Sequence, residues 1–152
     1  MNKNTPEGAA KALEYFQQSI DKDPAYAAAY AQLANAYAAL GTTGLDVLPP
    51  RETMPKAKAA ALKALELDDT LAEAHTVLGL VRWAYDWDCA AEKDLKRAIE
   101  VNPGYATAHL LYANYFCSLG RFDEAAAVGK RALELDPLSL NLNHVQGWPP
   151  YC

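Results

Sequence analysis

The chain has 152 residues and a net charge of −5, and 51% of its residues are hydrophobic. This length fits one domain, and this hydrophobic content excludes a disordered chain. The acidic balance argues against nucleic acid and an anionic membrane as partners, and no apolar run reaches the roughly 18 residues of a membrane-spanning helix. Because the three cysteines show no metal or redox spacing, we expect a cytoplasmic protein without a cofactor.

Apolar residues recur at spacings of three and four along most of the chain, which predicts helices. Asp or Asn precedes proline at 23–24, 102–103 and 136–137, as expected for an N-cap followed by the first helical residue. Gly41 and Gly120 lie just past periodic segments, where a left-handed residue closes a helix. The predicted helices cover about residues 6–22, 25–40, 54–67, 71–85, 88–101, 105–119, 122–135 and 139–147.

The chain repeats itself with a period of 34 residues, because His75 aligns with His109 and Pro103 with Pro137. Two further copies are imperfect, since one lacks its first half and another carries an insertion. The result is a single domain, 1–152. It comprises the second half of a truncated repeat (6–24), a repeat with an insertion at 42–54 (25–69), two complete repeats (70–103 and 104–137) and the start of a further, truncated repeat (138–152).

These repeats resemble the tetratricopeptide repeat, which alternates bulky and small residues at fixed slots and closes with proline. The resemblance implies an all-α, right-handed superhelical solenoid of antiparallel helix pairs. Small residues would lie where helices cross, and large residues would fill the gaps around them. In the copy that begins at Ala106, the slots hold His109, Tyr112, Ala113, Phe116, Ala125, Gly129, Ala132 and Pro137. The expected crossing residues are Ala34, Gly79 and Ala113 within pairs, and Ala64, Ala98 and Ala132 between pairs.

The resemblance implies a protein–protein interaction scaffold that binds a peptide or protein in a concave groove formed by the first helix of each pair. Asn35 and Asn114 can hydrogen-bond a peptide backbone, although asparagine can also be simply common at this slot. Leu80, Trp83 and Leu110 would form an apolar anchor. A clamp of basic residues for acidic chaperone termini, known in this family, is not expected, because its slots hold Ala31, Glu73 and Val77. The expected groove residues are Asn35, Glu73, Thr76, Leu80, Trp83, Thr107, Leu110 and Asn114.

A narrower resemblance concerns the segments 48–52, 85–88 and 133–139. They are similar to repeat regions of large bacterial signalling proteins, in which such repeats follow a winged-helix DNA-binding, cyclase or Ser/Thr kinase domain. The alternative function is therefore a regulatory or oligomerisation segment of a transcription regulator, cyclase or kinase. The incomplete first and last repeats lead us to expect a piece of such a protein.

No pattern predicts catalysis or a metal site. His75 and His109 can be read as a metal pair or as bulky residues between helices, and we expect the second, because no carboxylate or cysteine shares their face at ligand spacing. The segment 85–88 can be read as a pair of carboxylates. We expect instead that Asp88 caps the next helix and that Trp87 packs under the turn. With no phosphate loop or nucleophile triad, we expect no enzyme activity.

The ends of the repeat array suggest self-association, because each end lacks the helix that would cover it. A homodimer through uncapped apolar ends is one prediction, and a monomer with weakly apolar ends is the alternative. The residues expected at this contact are Phe16, Ile20, Leu140, Leu142 and Trp148.

Overall fold

A computed structural model describes residues 6–42 and 48–137, and all regular structure within these ranges is helical. Residues Arg82–Asp86 form a π-helical turn that continues α4. The predicted helix at 139–147 lies outside the described residues. The helices are α1 (Pro6–Lys22), α2 (Ala27–Thr42), α3 (Pro50–Leu67), α4 (Ala72–Val81), α5 (Ala91–Val101), α6 (Ala106–Ser118) and α7 (Phe122–Leu135).

The helices pack in consecutive pairs, α2 with α3, α4 with α5 and α6 with α7, and α1 packs against α2. The first helices of successive pairs also pack together, since α2 contacts α4 and α4 contacts α6. We call α2, α4 and α6 the inner helices, and α1, α3, α5 and α7 the outer helices. This arrangement confirms the predicted all-α solenoid of helix pairs.

Small residues form the closest contacts between helices. Ala64 and Ala98 are fully buried, and Ala132 is nearly so. A Cβ atom on Gly79 would lie 2.7 Å from Cγ of Leu95, so only glycine admits α5 this close to α4. The slots expected to hold small residues at helix crossings are therefore where the resemblance placed them.

Two large hydrophobic clusters fill most of the remaining space, beside a smaller one around Ala31, Ala64 and Ala74. One joins α1 to α4 around Leu33, Met54 and Val81. The other joins α5, α6 and α7 around Leu95 and Phe116, with Trp83 packed against it. Because each of these two clusters draws on more than one helix pair, no pair is expected to be stable by itself.

The two glycines predicted to close helices differ. Gly120 has φ +73° and closes α6, as predicted. Gly41 does not have a left-handed φ and lies inside α2, so that prediction is wrong. α3 begins at Pro50 rather than near residue 54, which brings Thr53 and Met54 back against α2. A Cβ atom on Gly41 would clash with Oγ1 of Thr53 and lie 2.7 Å from Cε of Met54, so a larger residue there would force these side chains to shift.

The prediction that Asp23 and Asn102 are N-caps is also wrong. Each accepts a hydrogen bond from the backbone N–H two residues later, at 3.1 Å from Ala25 N and 3.1 Å from Gly104 N. The helices α2 and α6 begin only after these turns. The Asx-Pro pairs therefore form the bend between repeats, a use that suits Asp and Asn equally well.

The connection between α4 and α5 has a different backbone conformation from the corresponding connection between α6 and α7. Trp87 has φ 56°, and the N–H of Asp88 donates to the carbonyl of Arg82 at 2.8 Å. In the 34-residue register Gly120 corresponds to Asp86, so the left-handed residue comes one position later here. The π turn accommodates this extra residue. Trp87 is 49% exposed, so the expected packing of this side chain under the turn is wrong.

Replacing Gly129 and Gly79 by alanine should have opposite effects on stability. A Cβ atom on Gly129 would meet only Ala113 Cβ at 3.7 Å, an ordinary contact. We expect Gly129→Ala to stabilise the protein by about 1 kcal/mol, because glycine is a poor helix former. Gly79→Ala should cost roughly 1–3 kcal/mol, because Leu95 fills the space. Urea unfolding followed by circular dichroism measures both, and shifts of the same sign would contradict the assignment.

Ala98→Leu should overpack the contact between repeats and cost roughly 1–3 kcal/mol of unfolding free energy, because Ala98 is fully buried. Ala126→Leu is the matched control, since Ala126 is exposed on α7. Thermal unfolding of both variants provides the comparison. An unchanged melting temperature for Ala98→Leu would show that this slot has room for a larger side chain.

Candidate interaction groove

The inner helices lie side by side, so their side chains that point away from the outer helices form one continuous surface. Within this surface Asn35 and Thr107 are exposed. The other predicted groove residues, apart from Thr76, are half-buried: Glu73, Leu80, Trp83, Leu110 and Asn114. The structure therefore brings most of the predicted groove residues onto three adjacent helices.

Thr76 does not contribute to the accessible surface. It is 2% exposed, and its hydroxyl donates to the carbonyl of Ala72 at 2.7 Å. The backbone of α4 therefore takes up the hydrogen-bonding group that was expected to contact a partner. The structure removes Thr76 from the set of candidate contact residues.

Trp83 links two inner helices. Its indole N–H donates to Oγ of Ser118 at 3.2 Å, and its ring lies edge-on to Tyr115 with the centroids 6.3 Å apart. The Ser118 hydroxyl in turn donates to the Tyr115 carbonyl at 2.6 Å. Trp83 thus joins the π turn to the end of α6. Its replacement would disturb packing as well as any contact with a partner.

Leu110 is a cleaner apolar candidate than Trp83 or Leu80. Leu80 packs against the cluster that joins α1 to α4, and Trp83 packs against the second cluster. Leu110 is half-buried and belongs to neither cluster. Its side chain can therefore contact a partner without first leaving the core.

An aromatic group fixes α6 to its neighbours. The rings of Tyr112 and Phe116 are 4.3 Å apart, and the Tyr112 hydroxyl donates to Oε1 of Glu92 at 3.3 Å. Burial, followed by the nearby charge of Glu92, raises the pKa of Tyr112 to about 12. The guanidinium of Arg121 lies 4.5 Å above the Phe116 ring. These contacts hold α6 against α5 and against the start of α7.

Glu73 on α4 carries a negative charge near Tyr105, the residue that precedes α6. Burial raises the pKa of Tyr105, the hydrogen bond with Thr107 opposes this shift, and the negative charge of Glu73 adds to it. Glu73 on α4 is therefore close enough to Tyr105, which precedes α6, for its charge to act on the phenol. Thr107 is partly engaged here, which limits its use in binding.

The two repeat-related histidines have the same structural role. Nε2 of His75 lies 2.8 Å from the carbonyl of Asp69, and Nε2 of His109 lies 2.9 Å from the carbonyl of Pro103. Each ring thus ties an inner helix to the bend that precedes it. Over residues 6–42 and 48–137 there is no group of three or more residues that could hold a metal ion.

The carboxylates of the segment 85–88 are also structural. Asp86 pairs with Lys58 on α3 at 2.5 Å, and Asp88 lies 3.7 Å from Nε of Arg82. Asp88 also accepts the N–H of Ala90 at 2.9 Å, but Ala90 is the N-cap of α5, so the prediction that Asp88 caps this helix is wrong. These side chains hold the π turn and do not form an open pair of carboxylates.

The residues predicted for self-association are not all available. Ile20 is 7% exposed and belongs to the core beside α2, and Phe16 packs against the same cluster. The expectation that Ile20 faces an open slot is therefore wrong. Tyr15, which was not among the predicted contact residues, is 67% exposed on α1. Leu140, Leu142 and Trp148 lie outside the described residues.

Within residues 6–42 and 48–137, no helix has both the length and the apolar character that crossing a membrane requires.

Comparisons with known proteins agree with this geometry. The family model for the tetratricopeptide repeat matches residues 90–139. TTC0263, a thermophilic tetratricopeptide-repeat protein of Thermus thermophilus, is 26% identical, with a TM-score of 0.70 over 93% of this chain and 79% of that one. MamA is 25% identical, with a TM-score of 0.64 over 89% of this chain and 72% of that one. The family model over residues 90–139 and the fold shared with these structures confirm the resemblance to the tetratricopeptide repeat.

Transcriptional regulators are similar over nearly the whole chain. HilA of Salmonella paratyphi A is 28% identical over 151 residues, and the match covers 99% of this chain. HilA of Salmonella typhimurium is 27% identical over the same length. The chain spans 27% of the length of each of these proteins.

The high pKa of Tyr112 gives a test of the aromatic group. Tyr112 keeps its proton to about pH 12 in the folded protein, whereas an unfolded tyrosine loses it near pH 10. The stability linked to this proton is complete below about pH 10 and is lost as the pH rises through about 12. In a spectrophotometric titration, Tyr112→Phe should remove one tyrosine that ionises near pH 12.

Glu92→Gln should lower the pKa of Tyr112, because it removes the adjacent negative charge. Glu66→Gln is the control, since Glu66 pairs with Lys63 on the outer helix α3. If the titration of Tyr112 is the same in Glu92→Gln and in the wild type, the contact with Glu92 is refuted.

Proposed function

We propose that the chain binds a peptide or protein segment along the inner helices, with Asn35, Leu80, Leu110 and Asn114 among the contact residues. The fold is that of a protein-interaction scaffold. The groove itself is supported by one observation above all. Three adjacent helices present half-exposed apolar and amide side chains, and several of these have no structural role within the repeats.

The two asparagines illustrate this. Among the described residues neither Asn35 nor Asn114 forms a side-chain hydrogen bond, whereas Asn102 in the bend between repeats does. A side-chain amide supplies both a donor and an acceptor, which matches the backbone of an extended segment. This availability supports a binding role over the alternative that asparagine is merely common at the slot.

A second candidate function is a regulatory segment within a larger bacterial signalling protein, in the cytoplasm. It is supported by the match to the HilA regulators, which covers nearly all of this chain but 27% of their length. In that setting the groove would bind another part of the same protein or one of its partners. Self-association through the ends, with Phe16 on one side and Leu140, Leu142 and Trp148 on the other, stays a prediction.

A selection of short random peptides on the immobilised protein tests the groove. Leu110→Asp should weaken the selected peptides about tenfold or more, because it removes an apolar anchor and adds a charge. Leu62→Asp is the matched control, since Leu62 is 44% exposed on the outer helix α3. Circular dichroism verifies that both variants remain helical. Loss of binding in Leu62→Asp, with normal binding in Leu110→Asp, would place the interface on the outer helices.

A further inference from the structure

Charge is distributed unequally between the two layers of the solenoid. The chain contains 14 lysine and arginine residues and 19 acidic residues. Helices α2 and α6 contain none of them, and α4 contains one, Glu73. Arg82 follows α4 in the π turn, but it pairs with Asp94 of α5 at 2.6 Å and so points away from the groove. The inner layer, formed by helices α2, α4 and α6, is thus nearly free of charge.

The outer helices carry the charges and neutralise many of them locally. Related i, i+3 ion pairs recur in three successive outer helices, in α3, α5 and α7. They are Lys63–Glu66 at 3.2 Å, Arg97–Glu100 at 3.6 Å and Arg131–Glu134 at 3.1 Å. Exposed pairs of this kind add little stability, but they keep the outer surface hydrated. The neutral inner layer is therefore a local property of the groove and not of the whole surface.

Glu73 is the exception in the inner layer. It is half-buried, and within the described ranges no cation lies within ion-pair distance of it. It lies near Tyr105, whose pKa its charge helps to raise. A carboxylate in this position repels a second negative charge and attracts a positive one. No other charged group on α2, α4 or α6 would offset that preference.

We propose that the groove binds a mainly apolar segment whose only charged residue is a single lysine or arginine opposite Glu73. This inference rests on the proposed function, since it names the partner chemistry of the same groove. Charged residues elsewhere in the segment would lose water without gaining a counter-charge, which disfavours acidic or highly charged partners. Apolar and amide contacts provide the affinity, and Glu73 selects the position of the cation.

Three libraries of short peptides test this inference. All three contain apolar and amide residues at random, and one fixed position holds lysine, glutamine or glutamate. We expect lysine peptides to bind about two- to fivefold tighter than their glutamine counterparts, the range of a solvent-accessible ion pair. Glutamate peptides should bind more weakly than either. Raising the salt from about 0.05 to 0.5 M should reduce both the lysine advantage and the glutamate penalty, measured against the glutamine peptides.

Glu73→Gln should make lysine and glutamine peptides bind equally, whereas Glu100→Gln on the outer helix α5 should preserve the difference. If no library yields a peptide whose binding depends on Leu110, the groove function fails, and this inference fails with it. If Leu110-dependent peptides are acidic, show no preference for lysine, or keep that preference in Glu73→Gln, the charge inference alone is overturned.

Discussion

The close approach of the two helices in each pair determines the rest of the structure. At Gly79 the helix α4 has no side chain, so Leu95 of α5 lies against its backbone. Fully buried alanines, such as Ala64 and Ala98, allow a similar approach elsewhere. Because the two helices of each pair lie so close together, successive inner helices can also contact one another. The continuous inner surface follows from that contact, and without it there would be no groove.

The 34-residue period was enough to predict the helices and their pairing, because the spacing of small and large residues is a local property of the sequence. It failed where the outcome depended on contacts between distant residues. Gly41 looked like a helix end, but Thr53 and Met54 pack against it from the other side of an insertion. Asp23 and Asn102 fit a cap or a bend equally well, and only the packing of the next helix selects the bend.

The candidate site was predictable as a face but not residue by residue. The resemblance identified the inner helices, and the structure places most of the expected side chains there. Burial of Thr76 and the bond between Trp83 and Ser118 depend on how α4 meets its neighbours, which no local pattern records. The uneven distribution of charge is different, because it can be read from the sequence once the inner and outer helices are known.

The ion pairs around the π turn define geometry more than they add stability. Burial raises the pKa of Asp94 even though the hydrogen bond and charge of Arg82 oppose the shift, so the ion pair offsets only part of the cost of burying this carboxylate. Lys58, which belongs to the preceding repeat, pairs with Asp86. These contacts hold the turn in which Trp87 has its left-handed φ. They also orient the segment that carries Trp83, whose indole reaches Ser118 on α6. Polar contacts behind the groove therefore help to fix the position of an aromatic residue within it.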